Sequence, residues 1–75
     1  MSHISEAREW LEKIKRLHEY GGDNCCRQAM RFKSELADIY KKSKQKDKES
    51  IHDLVIEANA LVAEIEKRET EKLSG

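Results

Sequence analysis

The sequence contains no proline, and its three glycines stand at positions 21, 22 and 75. With so few breakers there is little room for anything but helices and two short connections. Aromatic residues make up only 5% of the chain. That thin supply, with no alternation of apolar and polar residues, excludes a β-sandwich or barrel. The two cysteines are adjacent, Cys25 and Cys26, and do not form the spaced framework of a disulfide-stapled secreted domain. Net charge is zero, which argues against a protein built to coat nucleic acid. No apolar run approaches the roughly 18 residues that span a bilayer. The opening MSHISEAREW lacks the cationic lead and apolar core of a signal peptide. These absences predict a cytoplasmic location and no membrane partner.

What the chain does have is three apolar stripes at helical spacing. They read Ile4, Ala7, Leu11, Ile14, His18; then Cys25, Ala29, Phe32, Leu36, Ile39; then Ile51, Leu54, Ala58, Leu61, Ile65. Residues three and four apart share one side of an α-helix, so each stripe predicts an amphipathic helix. Met30 and Tyr40 are expected to widen the second stripe; Val55, Val62 and Leu73 are expected to broaden and extend the third. The predicted fold is all-α, a small up-down-up three-helix bundle with helices over about 4–20, 24–42 and 50–72, in one helical domain, 1–75. A chain of 75 residues buries only about 60% of its unfolded surface, so self-association is a natural source of extra stability.

Ser2 or Ser5 is expected to cap the first helix. Gly21 and Gly22 end it, because glycine accepts left-handed geometry freely, and Asp23 or Asn24 caps the second. So short a connection makes the first two helices antiparallel neighbours. The second connection is less sharply marked. Residues 41–50, KKSKQKDKES, contain no glycine or proline, but crowded lysines repel one another along a helix. The apolar stripe lapses between Tyr40 and Ile51, and Ser50 with Asp53 reads as a capping box. A loop over 43–49 is therefore expected. The alternative is a long bent helix through the segment, giving a helical hairpin.

Charge is unevenly spread. Residues 41–49 hold five lysines against Asp47 and Glu49, a net of +3; residues 50–75 hold three basic and six acidic groups, a net of −3. Lys41, Lys42, Lys44, Lys46 and Lys48 form a candidate nucleic-acid contact, since clustered cations release counterions from phosphates. Against this, the patch has no arginine to read bases and no aromatic inside it, although Tyr40 borders it. A solvated, self-repelling connection is the simpler expectation.

The stronger candidate surface lies on the third helix. Ile56, Ala60 and Ala63 sit nearly opposite its main stripe, and a helix apolar on two sides usually has two neighbours. They are expected to meet a second copy or another protein's helix, rather than to be incidental surface apolarity. Trp10, beside Leu11, reads as a core-boundary anchor, or as a partner hot spot if exposed.

Cys25 and Cys26 lack zinc-ligand spacing and are expected to pack as small apolar groups. Cys25 near His18, at a helix N-terminus, is the one arrangement that would lower a thiol pKa. His3, His18 and His52 share no ligand spacing, so no metal and no cofactor are expected. There is no glycine-rich phosphate cradle and no nucleophile on a sharp turn, so no catalytic residues and no enzyme are expected.

The segment EAREWLEKIKRL, Glu6–Leu17, resembles the first helix of small helical proteins of unknown function carried by Gram-positive phages. That resemblance implies a phage or mobile-element origin, where small proteins often bind and block a host protein. The expected role is a non-enzymatic protein–protein interaction module: a regulator, adaptor or inhibitor, working as a homodimer with a further protein partner. A nucleic-acid-associated helical protein is the alternative.

Overall fold

The stripes form three helices: α1 over His3–Tyr20, α2 over Cys25–Lys42 and α3 over Gln45–Ser74. The computed structural model describes residues 3–22 and 24–74, with side chains as far as 71. Each helix packs against the other two, giving a three-helix bundle whose extents are 46 × 16 × 15 Å. Among the described residues no helix is long and apolar enough to cross a membrane.

The core takes Ala7, Leu11 and Ile14 from α1, Ala29, Leu36 and Ile39 from α2, and Ile51, Ala58, Val62 and Ile65 from α3. Half-buried groups ring it, including Leu17, Cys25, Phe32, Tyr40, Leu54 and Leu61. Two positions depart from the expected stripes. In α3, Val62 lies at the centre, 1% exposed, while Leu54 and Leu61 flank it. A helix touching two neighbours centres its buried face between them, so the seam follows residues 51, 58, 62 and 65. In α2, Met30 does not widen the stripe; it is 53% exposed. One residue advances a helix by about 100°, which turns Met30 away from Ala29 on the side opposite Phe32. The expected extension to Leu73 falls outside the described side chains.

The first connection is built as the glycines imply. Gly21 (φ +69°) donates its N–H to the Leu17 carbonyl at 2.8 Å, and Gly22 adopts φ +119°. A Cβ at either position would meet no atom within 4 Å, so glycine is needed there for its backbone conformation. Asn24 also lies in the left-handed region, at φ +61°, and its side chain makes no capping bond. This corrects the expected Asn24 cap: a capping side chain normally projects from an extended backbone, not a left-handed one. Asp23 and Ser2 lie outside the described residues, and Ser5 is inside α1 rather than before it.

The second connection differs most from expectation. Only Ser43 and Lys44 break the helices; residues 45–49, expected as loop, are the start of α3. Ser43 is extended, and its buried hydroxyl donates to the Ile39 carbonyl at 2.5 Å. The Lys44 carbonyl receives N–H groups from Asp47 (2.9 Å) and Lys48 (3.1 Å), opening the new helix there. Ser50 is therefore interior to α3, and the Ser50–Asp53 capping box is not formed. Lysine repulsion costs only about 0.2–0.5 kcal/mol per pair at helical spacing. Against that, Gln45, Lys46 and Lys48 are good helix formers and Asp47 suits the positive first turn. The break also separates α2 from α3, which excludes the bent-helix hairpin.

Candidate interaction surfaces

On α3 the buried seam and the second stripe lie on opposite sides. Ile56 advances about 140° around the helix from Ile51, beyond the reach of either neighbour. It is 53% exposed, and Ala60 and Ala63 beside it are exposed too. Asp53 and Lys67 stand about a turn to either side. Both are exposed, and neither makes an ion pair among the described residues.

Trp10 lies elsewhere. It is half-buried where α1 meets α2, its ring tilted 42° against Phe32 with centroids 5.4 Å apart. The Lys13 ammonium covers the outer side of the indole at 4.2 Å. The ring thus packs against its own chain where α1 meets α2 and does not join the α3 stripe in one surface.

The five lysines gather at the tip of the bundle formed by the end of α2 and the start of α3. Lys41, Lys42, Lys44 and Lys46 are exposed. Lys48 lies 5.6 Å over the Tyr40 ring, which in turn lies 6.0 Å from the imidazole of His52. The two-residue connection brings these groups to one end, where a seven-residue loop would have let them spread.

At the opposite end, α3 reaches past the Gly21–Gly22 turn and caps both helices that meet there. The Arg68 guanidinium donates to the His18 carbonyl at 2.6 Å, a cation at the negative end of α1. Glu69, the next residue, accepts the Cys26 N–H at 3.3 Å and the Cys25 thiol at 3.2 Å, an anion at the positive end of α2. Glu69 thus does what Asn24 does not. Sequence reading missed both residues, although opposite charges placed a turn beyond the last core position, Ile65, were a usable signal. Glu69→Ala is expected to destabilise the fold by about 0.5–2 kcal/mol, the usual worth of an N-cap, measured by urea denaturation.

Beside this junction lies a cleft of about 420 Å³ bordered by His18, Gly22, Cys25, Ile65 and Arg68. The His18 imidazole meets the Glu64 carboxylate at 2.5 Å and Arg68 rather than a thiol. The alternative Cys25–His18 pair is therefore not formed, and both cysteines pack against the core. Burial pushes both thiols above the ordinary cysteine value, and the nearby Glu69 carboxylate raises them further. The sign is opposite to that of an activated cysteine, because the neighbouring charge is an anion that disfavours a thiolate. Alkylation by iodoacetamide near neutral pH is therefore expected to be slower than for free cysteine. Because folding raises these pKa values, their contribution to stability is complete at neutral pH and is lost as pH rises through the thiol range. Thermal denaturation at alkaline pH should show that loss, and it should shrink in the C25S/C26S variant. Among the described residues no group of three or more His, Cys, Asp or Glu side chains is placed to hold a metal ion.

Comparison of the chain with protein-family models, with characterised proteins and with solved structures finds no match.

Proposed function

We propose that this protein is a non-enzymatic interaction module that works as a homodimer joined along the outer face of α3, leaving its remaining helical surface to dock on a further protein as a regulator, adaptor or inhibitor. Ile56 carries this conclusion: a large aliphatic side chain, 53% exposed, followed by two exposed alanines, Ala60 and Ala63, on a face that the bundle leaves open. Small residues beside a large one let two helix backbones approach closely while the large side chain fills the gap.

A second copy suits this face better than an arbitrary partner because the face is self-complementary when two α3 helices run antiparallel. Ile56 then meets Ala63 of the partner subunit, and Ala60 meets Ala60 of the partner subunit across the two-fold axis. Asp53 falls beside Lys67 of the partner subunit, and the reverse, so each otherwise unpaired charge gains an opposite one. At 30 residues, α3 is about 45 Å long, enough for an extended helix–helix contact.

Sedimentation equilibrium over a range of concentrations tests this reading. The expected mass rises from one chain of 8.8 kDa towards two. A single-chain mass at every concentration overturns the homodimer.

A further inference from the structure

A second surface, independent of the α3 face, has a different chemistry. The turn at Ser43 and Lys44 draws five lysines together around one end of a narrow rod, and Asp47 and Glu49 leave a net of +3 there. None of the five forms an ion pair among the described residues. The end of α2 and the start of α3 meet at this tip with opposing dipole ends, which largely offset each other, so the field there is that of the lysines. We propose that this tip holds the phosphodiester backbone of a nucleic acid, with Lys41, Lys42, Lys44 and Lys46 as the phosphate contacts.

Two observations favour this partner over an acidic lipid surface. A membrane-docking tip combines cations with an apolar side chain that enters the interface. Among the described residues the exposed large hydrophobic ones are Tyr20, Met30 and Ile56, and none lies in 41–50. Instead the tip carries rings: His52 is exposed and stands against Tyr40, beside the Lys48 ammonium. An exposed ring next to cations suits a base or ribose next to its phosphate. Without arginine at the tip, recognition is of the backbone and not of base sequence.

Fluorescence anisotropy of the full chain with labelled single-stranded and duplex DNA of mixed sequence, at low and moderate salt, tests the proposal. With about four phosphates neutralised, raising salt from about 50 to about 200 mM should weaken binding roughly 50-fold for the single strand and roughly 150-fold for the duplex. The K44E/K46E variant should bind at least about tenfold more weakly than the parent at the lower salt. Acidic residues at a helix N-terminus favour the helix, so this variant keeps its fold, which circular dichroism checks. An equal charge reversal on the body of α2, R27E/K33E, should leave binding nearly unchanged. Absence of binding at low salt overturns the proposal, as does an equal loss in R27E/K33E. Binding to phosphatidylserine vesicles or to polyglutamate as tight as to DNA likewise overturns it, since the tip would then recognise negative charge alone.

Discussion

Replacing Leu36 with alanine is expected to lower stability by about 2–5 kcal/mol, the range for deleting a fully buried leucine side chain. Leu36 has no exposed surface and lies in α2 among core residues from all three helices. The magnitude depends on whether neighbours can move into the space. Here they cannot do so well: Ala7, Ala29 and Ala58 are part of the same core, and an alanine has no side-chain torsion that could swing its methyl into a void. A chain of 75 residues has roughly 4–11 kcal/mol of stability in total, at about 0.05–0.15 kcal/mol per residue. The loss is therefore a large fraction of the whole. Urea titration followed by far-ultraviolet circular dichroism measures it, at one fixed chain concentration because dimerisation would add to the apparent stability. Met30→Ala, at the exposed position on the same helix, is the control and should stay within about 0.5 kcal/mol of the parent. A Leu36→Ala change no larger than the Met30 control would mean that the core is not closed as described.

The second large effect concerns assembly and not folding. Ile56→Glu is expected to weaken the dimer by at least about 3 kcal/mol, on the order of a hundredfold in dissociation constant. The two-fold axis doubles every change: two aliphatic contacts are lost and two carboxylates are brought into an apolar contact without a partner. Within the single chain the same substitution is at an exposed position, so the monomer's stability should change by no more than about 0.5 kcal/mol. Compared at a chain concentration where the parent is monomeric, stability should therefore be unchanged while the mass at higher concentration falls, which a folding defect would not allow. Ala60 gives a sharper test because each copy would meet itself there. Ala60→Lys and Ala60→Glu should each dissociate the dimer through like-charge contact, while an equal mixture of the two should restore a mass of two chains. Failure of the mixture to reassociate would remove Ala60 from the axis and with it the antiparallel arrangement.

The fold is largely legible in the sequence. Three stripes at 3–4 spacing required three amphipathic helices, and Gly21 and Gly22 located the first turn because glycine adopts positive φ at no steric cost. The second turn was misplaced for an identifiable reason. Lysine repulsion and a lapsed stripe both weaken a helix, but by tenths of a kcal/mol, and neither stops one; with no glycine or proline in 45–50, the backbone is helical through Gln45–Ser50. The apolar residues Ile56, Ala60 and Ala63 could be named from periodicity alone, since their angle to the main stripe follows from 3.6 residues per turn.

What the residues determined by themselves is thus the set of helices, the faces they bury and the position of the glycine turn, all consequences of local geometry and burial. Only the tertiary structure decided that Val62 rather than Leu61 is central, that Met30 faces outward, and that the lysines form a tip. It also decided that Arg68 and Glu69 cap α1 and α2 across more than forty residues of sequence, and that burial, with Glu69 nearby, raises the thiol pKa values of Cys25 and Cys26 instead of lowering them. Those outcomes depend on which helix ends lie side by side. That is fixed by how three seams share one core, a property of all three helices at once and of no single stretch of sequence.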